Sequence, residues 1–346
     1  MATDTLEPTI TIQEAAKNIL NTIDKERERE IISRRFGLYD RRETLEQIGD
    51  LLGITRERVR QLEKSVIQKL KSMSNQLPHL PEIEQNFIRH LEEMGRAARI
   101  EHLTPKVSSE VDDRAHAHVH FLSSLSPKLA VINENNDYYH GVAIKEHHDE
   151  KAVKDRVKNL VKTIKDIGEP HTIEKIHEST DHEHHTHTHA MATLSKKLAS
   201  LKSNWGLKKW PTVNPKNIRD KIYVVLSENK EPMHFSDIAS AIQESDLRRS
   251  DVTTQAIHNE LIKDARFVLI GRGIYALKEW GYSKGTVADM IVSILKKEGG
   301  PLHRDEIVKR VLKQRQVKET TILLNLQSKP QFKRVEKATY DLADKE

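Results

Sequence analysis

Residues 43–71, ETLEQIGDLLGITRERVRQLEKSVIQKLK, carry a strongly periodic pattern of apolar and polar positions. Leu45, Ile48, Leu51 and Leu52 fall on one stripe, the spacing of an amphipathic helix. Thr44 stands where an N-cap belongs, and Gln47 three residues on completes a capping box. Gly53 follows where the chain must turn, and without a Cβ it takes the left-handed conformation at no steric cost. Ile54 plugs the junction. Thr55 caps a second helix with a buried stripe of Val59, Leu62, Val66 and Leu70. Two such helices across a glycine turn make a helix-turn-helix.

A second pattern is an internal repeat. EPMHFSDI (231–238) matches GPLHRDEI (300–307), and each follows an apolar helix, IYVVL (222–226) or MIVSIL (290–295). Further on, a constant spacing pairs Val252 with Val317, Ile257 with Ile322, Leu261 with Leu326, Phe267 with Phe332, Tyr275 with Tyr340 and Leu277 with Leu342. A weaker third copy runs through EPHTIEKI (169–176), Leu194, Leu198 and GLKKW (206–210). Each copy reads helix, turn with proline, helix, loop, helix, short hairpin. In FVLIGRGIYAL (267–277) a GRG turn joins two runs of β-formers, as short hairpin loops do. Three helices and a hairpin make a winged helix, with the wing-tip Arg272 and the helix Thr253–Lys263 as natural DNA contacts. Residues 78–147 show a helix (82–97), a second segment, a helix near 111–125 and a hairpin in LAVINENNDYYHGVAIK (129–145). They carry 7 basic and 11 acidic side chains, which favours a spacer or protein interface over DNA contact.

The expected fold class is therefore mainly α, with tandem helix-turn-helix and winged-helix modules and small β-hairpin wings. Five modules are expected: 1–77, 78–147, 148–213, 214–281 and 282–346.

On the exposed side of the second helix, Arg56, Glu57, Arg60, Gln61 and Lys64 lie together near the N-terminus, the end that enters the major groove in this motif. Arginine grips guanine bidentately, glutamine pairs with adenine, and glutamate accepts from the cytosine amino group. Residues 55–71 hold six basic and two acidic side chains. The net charge of +5 over 346 residues says less than this local excess does, because steering toward phosphate needs a patch. Charged residues make up 32% and aromatics 5%, which suits several small helical units better than one large sheet. Cysteine is absent, which excludes disulfides and thiolate metal sites. No stretch of about 18 apolar residues exists to span a membrane. The N-terminal MATDTLEPTI lacks a signal-peptide pattern. A cytoplasmic, nucleoid-associated protein is expected.

REREIISRRFGL (27–38) followed by TLEQIGDLLGITRERVRQLEKSVIQKLK (44–71) closely resembles region four of the sigma-70 family of bacterial sigma factors, over about residues 15–73. That resemblance implies recognition of a promoter −35 element in double-stranded DNA. Carried over by position, Arg56, Glu57, Arg60 and Gln61 are the base readers. Arg58 and Lys64 are phosphate or partner contacts, and Thr44 and Thr55 are candidate backbone contacts. It also implies docking on the RNA polymerase core, here through the helix around Ile31–Phe36. About 15 residues precede the match, so the expectation is a sigma-like factor rather than a complete sigma factor. Units 218–280 and 285–343 resemble the HARE-HTH winged-helix family, which includes the N-terminal domain of the RNA polymerase delta subunit, through PMHFSDIA and RGIYAL. This implies a role around DNA or polymerase, with protein docking open as an alternative to DNA contact.

Nineteen histidines are many. HEHHTHTH supplies His182, His184, His185, His187 and His189 as weak metal candidates; without fixed ligand spacing or cysteine the tract reads equally as a solvated loop between two helices. No metal or cofactor is expected. His234 and His303, after the turn prolines, read as caps or turn packing. Neither a Walker-type glycine loop nor a nucleophile elbow is present, so no enzymatic activity is expected. The main rival to promoter reading is a polymerase-binding adaptor whose helix-turn-helix modules dock on protein.

Overall fold

The computed structural model describes residues 10–245, 253–282, 285–315 and 317–343. These fall into two compact units, Met1–Lys209 and Trp210–Glu346. Both are mainly helical, with small antiparallel sheets.

The first unit opens with α1 (Ile12–Asn21), α2 (Glu26–Phe36), α3 (Leu45–Leu52) and α4 (Arg56–Ser72). It continues with α5 (Leu80–Glu93), β1 (Ala97–Arg99), α6 (Ile100–Val107), α7 (Asp113–Leu125), β2 (Leu129–Ile132) and β3 (Gly141–Ile144). The strands form a sheet in the order β1-β3-β2, with Val131 opposite Val142 and Ala97 opposite Ala143. A second set follows: α8 (Glu150–Ile167), α9 (Ile173–His177), α10 (His185–Leu194) and the hairpin β4 (Leu198–Leu201) and β5 (Asn204–Leu207).

Residues on both sides of position 77 share one core. Ile12, Ile19, Phe36 and Leu70 pack in the same cluster as Phe87, Phe121, Leu129 and Val142. The Phe36 and Phe121 rings meet edge to face at 5.2 Å. Buried Glu84 on α5 receives the Ser126 hydroxyl and pairs with Lys128 at 2.7 Å, tying the helix to the start of β2. A separate small cluster of Ile31, Ile48 and Val59 holds α2, α3 and α4 together, with Leu45, Leu52, Ile54 and Leu62 packed against it. Leu51, expected in the buried stripe, is instead 55% exposed. It sits about 60° around the helix from Ile48, on the side away from Leu45 and Leu52, where neither neighbouring helix reaches.

The histidine tract is not a solvated loop. His182 and His187 are buried, and α10 begins at His185. His184 caps that helix by accepting the Thr186 backbone N–H at 3.3 Å. Fully buried Thr188 brings its hydroxyl to 2.9 Å from His182 Nδ1 and 3.1 Å from His177 Nδ1. The tract packs because neutral imidazoles bury well once a hydroxyl satisfies a ring nitrogen. Among the described residues no group of three or more His, Asp or Glu side chains is placed to hold a metal.

The second unit contains α11 (Ile218–Asn229), β6 (Met233–His234), α12 (Phe235–Glu244), α13 (Thr254–Lys263), β7 (Phe267–Leu269) and β8 (Ile274–Leu277). The order then repeats as α14 (Val287–Glu298), β9 (Leu302–His303), α15 (Arg304–Leu312), α16 (Glu319–Ser328), β10 (Phe332–Glu336) and β11 (Thr339–Leu342). The sheets have matching orders, β6-β8-β7 and β9-β11-β10. Ile257 and Ile322, Leu261 and Leu326, Phe267 and Phe332, and Tyr275 and Tyr340 are all buried, so the repeat read from spacing is a repeat of core positions. Val252 lies outside the described residues. The second wing turns without glycine, placing Ala338 at φ +59° beside an irregularity between Arg334 and Glu336. His234 and His303 cap α12 and α15 through Nδ1, accepting the N–H of Ser236 and Asp305.

Candidate nucleic-acid interface

The turn between α3 and α4 is built as its sequence implies. Thr44 and Gln47 exchange backbone-to-side-chain bonds of 2.9 and 3.2 Å. Gly53 has φ +61° and ψ +40°. Thr55 Oγ1 accepts the Arg58 N–H at 3.2 Å and starts α4. Gly49 also matters, and sequence reasoning passed over it. A Cβ there would lie 2.7 Å from the Ile54 carbonyl oxygen, so only glycine lets the turn fold this tightly against α3. Its signal was a glycine inside an otherwise helical pattern, which marks close backbone approach when it is not a cap. Arg27 donates to the Leu52 carbonyl at 2.7 Å, and Arg35 reaches Glu63 at 3.2 Å, so α2 braces both helices of the motif.

Arg56, Glu57, Arg60, Gln61 and Lys64 are all exposed on one side of α4. Arg60 grips Glu57 with two bonds, Nε to Oε2 at 2.8 Å and a terminal nitrogen to Oε1 at 2.6 Å. Gln61 adds a longer bond of 3.4 Å to the same carboxylate. The Arg60 hydrogen bonds hold the Glu57 carboxyl below its usual range, with the nearby charges of Arg60 and Arg56 acting the same way. Glu57 in turn raises the Arg60 guanidinium. Arg58 lies about 160° around the helix from Arg60, on the flank, and reaches Gln61 at 3.5 Å. The Thr44 hydroxyl accepts from Gln47 N–H and donates to Gln47 Oε1 at 3.0 Å, so its proton is taken within the cap. The Thr55 hydroxyl only accepts, which leaves its proton to offer.

The helix around Ile31–Phe36 does not present the apolar docking face expected of it. Ile31, Ile32 and Phe36 are buried in the two clusters just described. They are the residues that fasten α2 to the rest, so only its polar side is open to a partner. In the second unit Arg272 is exposed at the tip of the β7–β8 hairpin. On α13, capped by Thr253, Ile262 is 61% exposed.

This architecture defines a helix-turn-helix protein with winged-helix repeats. Comparison with known proteins sharpens two of its segments. Residues 25–72 match the family profile described as sigma-70, region 4. Residues 218–280 match the HARE-HTH profile, described as an ASXL and restriction endonuclease HTH domain. The chain is 38% identical over 79 residues to RNA polymerase sigma factor SigA of Microcystis aeruginosa, covering 22% of this chain and 18% of that one. It is 48% identical over 66 residues to RNA polymerase sigma factor RpoD of Helicobacter pylori, covering 18% and 9%. It is 51% identical over 47 residues to RNA polymerase sigma factor sigB of Arabidopsis thaliana, covering 13% and 8%. The chain thus spans less than a fifth of the length of these relatives. Both profiles describe helix-turn-helix or sigma segments rather than enzymatic families. No helix among the described residues is long and apolar enough to cross a membrane.

Proposed function

We propose that this protein is a cytoplasmic, nucleoid-associated transcription regulator that reads a −35-like promoter element through α4 and acts with RNA polymerase. The observation that carries this is the exposed row Arg56, Glu57, Arg60, Gln61 and Lys64, on the helix after a capped glycine turn, inside the segment that matches sigma-70 region 4. Arg56 and Arg60 supply guanine-type contacts, Gln61 adenine-type contacts, and Glu57 both accepts from cytosine and orients Arg60. Thr55, Arg58 and Lys64 serve the sugar-phosphate backbone, and Thr44 does so only by giving up its bonds to Gln47. The winged helices of the second unit contact flanking DNA or polymerase through α13 and Arg272.

The test is binding to a duplex holding a −35-like TTGACA element and to a scrambled duplex, across a salt series, for the wild type and Arg60→Ala. The reading expects preference for the element, reduced roughly ten- to hundredfold by the substitution. Equal affinity for both duplexes would overturn base reading. Failure to bind either, with capture of RNA polymerase, would establish the adaptor role instead.

A further inference from the structure

The residues assigned to base reading occupy the first two turns of α4. Its last three turns face something that sigma-like sequence does not include. Between α4 and the β2 side of the following sheet lies a cleft of about 640 Å³, floored by Phe36 and His120. Arg60, Lys64, Ile67 and Lys71 run along one wall. The opposite wall includes Ala130, Val131, Asn133 and Lys145. Both walls belong to the first unit and share its core, so the cleft is a fixed feature.

Its charge is unbalanced in a particular way. The acidic residues that line it are already engaged: Glu63 with Arg35, Glu150 with Lys154 at 2.6 Å, and Asp149 with the Ala152 N–H at the start of α8. Arg42, Lys64, Lys71 and Lys145 line the same cleft and have no ion-pair partner among the described residues. The walls strip water from Lys71 and Lys145 adds repulsion, which lowers the Lys71 ammonium; loss of water and the charge of Arg35 lower the Arg42 guanidinium. Cations held close together without counter-charge are stabilised by an anion between them. From Lys64 to Lys71 the helix rises about 10 Å, the axial length of about three steps of a DNA strand at ~3.4 Å each. The row begins at Arg60, a base reader, so it continues directly from the bases outward.

We propose that this cleft holds the phosphodiester backbone of the same duplex whose bases α4 reads, with Lys71 on one wall and Lys145 on the other. The inference rests on the DNA-binding reading of α4 and adds to it a backbone site half of which lies outside the sigma-like segment. It also assigns a DNA contact to residues 78–147, whose acidic balance had argued against one.

The experiment uses the full chain and the variant Lys71→Gln/Lys145→Gln, with the two duplexes above, plus acetylation footprinting of lysines in the presence of duplex or inorganic phosphate. Both side chains are exposed, so the variant is expected to fold, and its melting curve checks this. The expected result is unchanged discrimination between duplexes, with the slope of log K against log salt less negative by about 1.8, about 0.9 per lost phosphate contact. Lys71 and Lys145 are expected to be shielded by duplex and not by inorganic phosphate at equal phosphate concentration. An unchanged slope with intact discrimination would overturn the cleft site and leave base reading standing. Equal binding to both duplexes, with the slope reduced in the variant, would support the cleft and sink base reading. Shielding by inorganic phosphate alone would overturn the backbone assignment in favour of a free-phosphate site, and no binding to either duplex would end both.

Discussion

Arg60 and Glu57 are locked together in the free protein, two bonds of 2.6 and 2.8 Å joining guanidinium and carboxylate on the open face of α4. The side chain best suited to guanine is thus pre-oriented by the one acidic group beside it. Removing Glu57 should loosen Arg60 without touching the core. For Glu57→Gln the expected outcome is a melting temperature within about 2 °C of wild type, because exposed pairs contribute little to stability. Affinity for any duplex should rise at low salt, since one negative charge leaves the interface. The preference for the element should fall. Titration of fluorescent duplexes at two salt concentrations separates the two effects.

The glycine turn offers an internal comparison. Gly53→Ala must place a side chain at φ +61°, where nothing lies within 4 Å of the new Cβ; the cost is backbone alone, about 1 kcal/mol. Gly49→Ala puts its Cβ 2.7 Å from the Ile54 carbonyl oxygen, a backbone atom that cannot move without opening the turn. Its cost should be larger, about 2–3 kcal/mol. Urea denaturation should therefore rank Gly49→Ala below Gly53→Ala, and DNA binding should follow the same order.

Acid should weaken the first unit before it reaches ordinary carboxylate chemistry. Burial pushes His140, His148 and His182 down to about 4 from 6.5, with Arg42 adding to the effect at His140 and Arg156 at the other two. His120, packed at 4.0 Å against His140, is lowered well below its usual value, chiefly by burial. The folded state takes up these protons less readily than the unfolded chain. Their contribution to stability is therefore complete above about pH 6.5 and is lost as pH falls toward 4. Unfolding free energy measured from pH 7.5 to 4.5 should decline across that window. His140→Gln should reduce the slope by up to about 1.4 kcal/mol per pH unit, the value of one proton.

Thr188 is a compact test of the histidine tract as structure. Its hydroxyl, fully buried, serves ring nitrogens of His177 and His182. Thr188→Val keeps the volume and deletes both bonds. A loss of about 1–3 kcal/mol is expected from the buried nitrogens left unpartnered. Added zinc or nickel should leave the wild-type melting temperature unchanged; a rise in it would refute the structural reading of the tract.

What the sequence made legible was local. The Thr44–Gln47 box, the Gly53 turn and the Thr55 cap each depend on residues within four positions, and all three stand as read. The repeat was legible because the same core positions recur, from Ile257 and Ile322 to Tyr275 and Tyr340. Other features depended on neighbours that periodicity cannot see. Leu51 belongs to an apolar stripe by spacing, but an eight-residue helix is covered only where α2 and α4 happen to lie. Ile31, Ile32 and Phe36 looked like a docking face and proved to be core. The histidines read as solvated because composition alone does not reveal a hydroxyl such as Thr188 waiting inside. Gly49 was passed over because its reason is the Ile54 carbonyl, brought close only by the fold.

Phe36 and Leu70, from the sigma-like helices, share a core with Phe121 and Leu129 from beyond them. Such packing makes two recognition surfaces into one solid body rather than two tethered ones. When α4 settles into a groove, the Lys145 side of the cleft does not have to find its phosphates by diffusion or straighten a linker to reach them. It meets them at an effective concentration fixed by geometry. The benefit would appear as slower release of bound duplex rather than as faster capture.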